Sequence, residues 1–239
     1  IQASGEPAIV MQAAIVGLCN AMGQMYNAWK EQTPLVYYSY RAESSRSAGR
    51  DGFEEVMYQE EMVAPITKWH WLARRPDMIP ETIRRSFKVA WTPPYGPTYA
   101  TWHSDYTKEK VRTEVISHKM VDPRMRIRPN PREVERAARM LVEAERPLLM
   151  VGDELYKTNS VDKAVKLAEM LGVPVTEPWQ VFANFPQAHP QWVGGSAMRT
   201  QNPDVVINVG NKLQHFSPSP IVPRSVKFID MRNDAASIG

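Results

Sequence analysis

A single cysteine, Cys19, stands in a chain of 239 residues, so no internal disulfide can form and no multi-cysteine metal centre can be built. A lone thiol at the start of an apolar helical segment reads as a small buried hydrophobe before it reads as a nucleophile. Histidine is scarce too, with five in all. His70, between Trp69 and Trp71, has no second histidine or carboxylate at ligand spacing, and such a residue belongs on one face of a strand. No apolar run approaches the roughly 18 residues that a membrane helix needs, and the chain opens on Ile1 without a basic-then-apolar leader. The expectation is a cytoplasmic protein represented by a fragment of its length. Charge of neither sign dominates, with 29 basic and 26 acidic residues and a net charge of +3, which argues against a nucleic-acid surface. The local exception, Arg124-Met125-Arg126-Ile127-Arg128, lies between Pro123 and Pro129 and reads as a solvated linker. Also missing is a Gly-x-Gly-x-x-Gly fingerprint: Gly152-Asp153, Gly194-Gly195 and Gly210-Asn211 are isolated, too weak a signal for dinucleotide binding.

What is present is the patterning of an ordinary globular chain, 43% hydrophobic and 23% charged, long enough for two domains. The stretch Pro7 to Arg41 organises the first. Ala8–Gln12 and Pro34–Tyr40 are apolar runs of strand character, and between them Ala21, Met22, Met25, Ala28 and Trp29 recur at helical spacing. Strand, helix, strand is a βαβ unit, and its first turn, Ala13 to Asn20, is expected as a loop at the carboxyl edge of a parallel sheet, where open α/β sheets bind ligands.

Ala42–Asp51 reads as a surface loop in which Arg41, Arg46 and Arg50 are either solvated or available to an anion. Phe53–Met62 is expected to be a helix with Phe53, Val56 and Met57 inward. Ile66–Leu72 reads as a strand, Pro76–Trp91 as a helix with stripe Ile79, Ile83, Phe87 and Ala90, and Gly96–Trp102 as the last strand of the domain. The predicted domains are 1–106 and 129–239, with a linker at 107–128. In the second, Asn130 caps a helix whose stripe is Val134, Ala137, Ala138, Leu141 and Ala144. Pro147–Gly152 is a buried strand, Ser160 caps a helix that Gly172 ends, and Val173–Thr176, Asp204–Gly210 and Val226–Met231 are further strands. The fold class is α/β, two Rossmann-like parallel-sheet units.

Asn20-Ala21-Met22-Gly23 followed by Asn27-Ala28-Trp29 resembles the pyrimidine-binding domain of the thiamine-diphosphate-dependent decarboxylase and acetolactate-synthase superfamily, most closely benzoylformate decarboxylase. The resemblance continues through Phe53-Glu54-Glu55, Pro65-Ile66-Thr67-Lys68-Trp69 and Gly96-Pro97-Thr98-Tyr99 into Arg146 to Gly152. It implies thiamine diphosphate and Mg²⁺ as cofactors, a small 2-oxo acid or aldehyde as substrate, and a homodimer or homotetramer, with Met22, Met25, Trp29 and Met57 available for contact. No nucleic acid and no membrane are implied. Gly17 and Asn20 are expected to approach the cofactor, and Gln12, Ala13 and Ala14 to line the substrate pocket. The family's activating glutamate would lie upstream of this sequence and its metal and diphosphate motif beyond Gly239, so no metal ligands are expected here.

There are departures. Ile15-Val16-Gly17 stands where relatives have a small-residue turn, and Ala13 stands where benzoylformate decarboxylases place a histidine, so either benzoylformate is not the substrate or another group such as Gln12 orients it. His215 is the candidate catalytic histidine, and His189, in Phe185-Pro186-Gln187-Ala188-His189-Pro190, is expected to be structural. Likeness to acetolactate synthase would add FAD in the second domain; likeness to benzoylformate decarboxylase would not, and the latter is preferred. A third reading is a non-catalytic α/β binding or assembly module.

Overall fold

The computed structural model describes residues 8–45, 56–115, 128–213 and 221–234. The chain divides into two compact units, Ile1–Arg126 and Ile127–Gly239.

The first unit holds a four-stranded sheet in the order β1-β2-β4-β3, made of Ile9–Gln12, Val36–Arg41, Thr98–His103 and Trp69–Ala73, all parallel. The central strands β2 and β4 are buried nearly throughout, as parallel strands covered on both faces must be. Helix α1, Ala14–Lys30, buries Ala14, Leu18, Ala21, Met25 and Ala28, a spacing of four and three that keeps one stripe inward. Leu18 and Met25 meet Tyr37, Val63 and Tyr99, and each such large side chain contributes about 1.5–3 kcal/mol by leaving water. Two expectations change here. The segment Ala13 to Asn20 is not a loop, because the Gly17 N–H already donates to Ala13 O at 2.8 Å and the helix begins at Ala14. Trp29 is 36% exposed, since it lies one position beyond Ala28 and off the packed stripe.

Helix α2, Ile79–Ala90, preceded by a 3-10 turn at Pro76–Met78, covers the opposite face. Its fully buried residues are Thr82, Ser86 and Ala90 rather than the predicted Ile79, Ile83 and Phe87. Small residues four apart let the helix approach closely enough for Thr98 Oγ1 to donate to Ser86 O at 3.1 Å. Ile79 and Ile83 flank the contact, against the Tyr38–Trp102 stack with ring centroids 3.9 Å apart. The expected helix Phe53–Met62 is likewise corrected over its described part: a 3-10 segment runs Gln59–Ile66, with Gln59 and Val63 buried. Met57 is 73% exposed. The left-handed Tyr58 (φ 58°) precedes it and Pro65 sits inside it, both unfavourable to an α-helix. Phe53 lies outside the described residues.

The second unit's sheet runs β6-β5-β7-β8, made of Val175–Thr176, Pro147–Val151, Val205–Val209 and Lys227–Met231, again all parallel. Helix α3, Pro131–Val142, is capped as expected: Asn130 accepts from the Arg132 N–H at 3.0 Å. Its inward residues are Ala137 and Leu141, whereas Val134 is 41% exposed. The short α4, Glu154–Lys157, precedes α5, Val161–Leu171, which ends at left-handed Gly172 (φ 62°). Ser160 occupies the N-cap position of α5, but its hydroxyl makes no cap bond there and instead exchanges contacts with Thr158. A four-residue α6, Ala197–Thr200, completes the unit. The core joins Leu149, Val151, Ala168, Val175, Phe185 and Ile207.

Candidate functional site

The carboxyl edge of the first sheet collects the candidate residues. Strand β1 ends at Gln12, the extended Ala13 is the N-cap of α1, and Ala14 follows with a φ of 34° and no exposure. The reversal is tight: a Cβ on Gly17 would lie 3.2 Å from Gln12 Cβ. Only a very small residue therefore fits where the helix folds back over the strand. Gln12, Ala13, Ala14 and Gly17 are thus brought to one junction, with Ala14 enclosed by the chain and Ala13 and part of Gln12 open. Asn20 is exposed, three residues further along α1. The N-cap residue Ala13 offers no side-chain hydrogen bond and no acid lies in the first turn, so the positive end of the helix dipole lies at this junction without a compensating side chain from α1 itself.

Behind the junction lies a buried polar network that the sequence pattern did not reveal. Gln59 Nε2 donates to Ser39 Oγ at 2.7 Å and to Tyr99 Oη at 2.8 Å, and those hydroxyls lie 2.5 Å apart. Burial pushes the Tyr99 phenol up, opposed by its hydrogen bonds to Ser39 and Gln59, so it remains a neutral hydroxyl. Thr101 Oγ1 donates to Ser39 O at 2.6 Å. One level nearer the edge, Arg41 pairs with Glu60 at 2.8 Å and donates to Val56 O at 3.0 Å. Arg41 is therefore neither solvated nor presented to a ligand; it ties Val56 and Glu60 to β2. His103 Nδ1 lies 2.9 Å from Ala42 O. The signal for this network was Ser39 in β2 and the Tyr99 phenol in β4, residues that strand patterning treats as core.

His70 lies on β3 with Nε2 3.7 Å from Glu61 Oε2. Cys19 is exposed rather than buried, since it follows Leu18 on the outward side of α1. His189 packs edge-on against Phe185 at 5.2 Å and accepts from the Gln191 N–H at 3.3 Å. His215, Arg46 and Arg50 lie outside the described residues. Among the described residues no three His, Cys, Asp or Glu side chains are grouped so that they could hold a metal ion.

The second sheet's carboxyl edge is also polar. Asn211 Nδ2 donates to Val151 O and Trp179 O, each at 2.9 Å, and Asn208 Nδ2 donates to Asn211 O and Asp230 Oδ1. Glu154 is pushed up to about 7, chiefly by burial, against the Asn233 N–H that it accepts. Glu177 is pushed up to about 7 by burial first, with the Asp153 carboxylate adding to it against the hydrogen bond from Asn184.

Residues 1–62 match the model of the thiamine pyrophosphate enzyme N-terminal TPP-binding domain, and residues 134–239 that of the thiamine pyrophosphate enzyme central domain. The chain belongs to the thiamine pyrophosphate enzyme family. It is 25% identical over 262 residues to a probable acetolactate synthase large subunit of Methanocaldococcus jannaschii, covering 100% of this chain and 42% of that one. It is 28% identical over 237 residues to a 2-hydroxyacyl-CoA lyase of Arabidopsis thaliana, covering 95% and 41%. The crystal structure of benzoylformate decarboxylase from Polynucleobacter necessarius shares the fold with a TM-score of 0.82 at 22% identity, over 99% of this chain and 46% of that one. The chain thus spans about two fifths of the length of these curated relatives. In thiamine pyrophosphate enzyme terms, the β1–α1 junction lies in the N-terminal, TPP-binding match and the Asp153–Glu177 edge in the central-domain match.

Proposed function

We propose that the chain forms part of a thiamine-diphosphate-dependent decarboxylase or carboligase acting on a small 2-oxo acid, similar to benzoylformate decarboxylase, with the β1–α1 junction lining one side of the pocket. The observation that carries this reading is the uncapped start of α1 at the carboxyl end of β1, within the segment matched to the TPP-binding domain. Bound thiamine diphosphate supplies an ylid that adds to the substrate carbonyl and a ring that accepts the electron pair released with carbon dioxide. The chain's own contribution is narrower. The uncapped N-terminus of α1 and the Gln12 carboxamide would offer hydrogen bonds to a heteroaromatic ring or to a substrate carboxylate. Gly17 keeps the turn tight, and Asn20 extends the polar rim.

The diphosphate end fits less well. A diphosphate with Mg²⁺ calls for several hard oxygen ligands, and no cluster of three His, Cys, Asp or Glu side chains that could supply them stands among the described residues. That end of the cofactor therefore falls to other residues, supplied by another stretch of chain or a second subunit of a homo-oligomer. Ala13 has no titratable group, so acid–base catalysis there is absent. A general acid or base ordinarily contributes about 10²–10⁴-fold, and His215 is the candidate to supply it.

The longest protein that the gene encodes is expected to release carbon dioxide from benzoylformate or an aliphatic 2-oxo acid only when thiamine diphosphate and Mg²⁺ are both present. Absence of turnover across aromatic and aliphatic 2-oxo acids would remove this reading. The acetolactate-synthase names among the curated relatives favour a second one, in which the product from pyruvate is acetolactate rather than free aldehyde.

A further inference from the structure

The order β6-β5-β7-β8 places β6 and β7 on opposite sides of β5. The strand order therefore reverses between β5 and β7, the point above which open α/β sheets take nucleotides. Gly152 and Gly210 end those two strands and would serve as the usual small residues beneath a diphosphate. Here the space above them is filled by the protein. A Cβ on Gly152 would lie 2.1 Å from Asn211 Cα, and one on Gly210 would lie 2.4 Å from Glu154 Cβ.

The segment from Glu177 to Phe185 is laid over the same edge. Asp153 Oδ1 accepts from the backbone N–H groups of Val181 and Phe182, each at 3.0 Å, and from Asn184 Nδ2 at 2.9 Å. Two successive main-chain donors converging on one anionic oxygen is the geometry by which loops hold phosphate. In this chain the anion is the protein's own carboxylate. Asn184 Nδ2 also donates to Glu177, and Gln180, with its amide nitrogen turned inward, donates to the same carboxyl. Phe182 stacks on Tyr156 with centroids 4.5 Å apart, and Lys157 Nζ lies over the Phe182 ring at 5.7 Å. Among the described residues, the buried polar atoms left unpartnered at this edge, Asn184 Oδ1, Asn211 Oδ1 and Asn233 Oδ1, are acceptors and repel a phosphate as the carboxylates do.

We infer that the strap 177–185, pinned through its main chain to Asp153, is a built-in occupant of the β5–β7 crevice, and that the second unit takes no diphosphate-bearing nucleotide, FAD and ADP included. Residues that would have to hold such a group are already spent on Asp153 or are acidic. This inference follows from the fold of the second unit and is independent of the 2-oxo-acid reading, so either can fail alone.

Two measurements on the 239-residue chain decide it. Titration with FAD and separately with ADP is expected to give no saturable binding up to about 1 mM, a limit of roughly 4 kcal/mol; saturation by either below about 0.1 mM overturns the inference. Amide hydrogen exchange is expected to be at least tenfold slower at Val181 and Phe182 than at free loop amides, and to lose that protection in Asp153→Ala. Unprotected Val181 and Phe182 in the unaltered chain would mean that the strap is not pinned and would equally overturn it, whether or not the variant folds.

Discussion

Glu177 is the residue at which environment most changes chemistry. Its side chain is buried at the start of the strap with the Asp153 carboxylate nearby, and its acid form is favoured up to about pH 7, well above the ordinary range of a carboxyl group. An acid whose folded pKa is raised contributes stability that is whole below the unfolded value and is lost as pH rises through the folded one. Glu154, pushed up to about 7 mainly by burial, acts in the same direction. The melting temperature is therefore expected to fall from pH 5 to pH 8 at fixed ionic strength, and Glu177→Gln, which keeps the acceptor and removes the charge, is expected to flatten that slope. An unchanged slope in the variant would show that Glu177 ionises freely in the folded state. At Gly152 the constraint is steric. Because the intruding atoms are backbone, Gly152→Ala is expected to cost about 3 kcal/mol or more, the upper end of overpacking, read as a drop in the urea midpoint.

At the scale of elements, the strands and long helices were legible because period and punctuation agreed. Continuous apolar runs marked β2, β5 and β7, Asn130-Pro131 marked the start of α3, and Gly172 the end of α5. What the pattern did not convey was which side of a helix meets the sheet. In α2 the small Thr82 and Ser86 form the contact because close approach outweighs side-chain size, and nothing in a hydrophobic stripe reports that. The start of α1 was missed for a related reason: Ala13 to Cys19 carries no capping side chain, so the true boundary at Ala14 had no signal in the residues themselves. The Ser39–Gln59–Tyr99 network joins residues up to 60 positions apart, beyond any local pattern. Lys68 makes an analogous long-range contact. Its ammonium donates to Val89 O at 2.7 Å and Thr92 O at 2.5 Å, closing the carboxyl end of α2, and burial lowers it to about 8. Lys68→Met is expected to lower stability by about 1.5–3 kcal/mol, the range for hydrogen bonds to a charged group. A loss below about 0.5 kcal/mol in chemical denaturation would show that water caps the helix equally well.

For the molecule as a whole, the family and the two α/β units were readable from motif order, while the chemistry of the site was readable only in outline. Gln12, Ala13, Ala14 and Gly17 meet at one junction, as their closeness in sequence required. What surrounds that junction, and what would complete it, depends on groups that the β1–α1 segment does not carry. The central proposal is that this chain presents one side of a thiamine diphosphate site and that the groups anchoring the diphosphate lie outside its described residues. Calorimetric titration of the 239-residue chain with thiamine diphosphate in the presence of Mg²⁺ tests it most directly. No saturable binding tighter than about 0.1 mM, roughly 5.5 kcal/mol, is the expected result; a stoichiometric, Mg²⁺-dependent isotherm below that value would contradict it and place the cofactor's anchor within these residues.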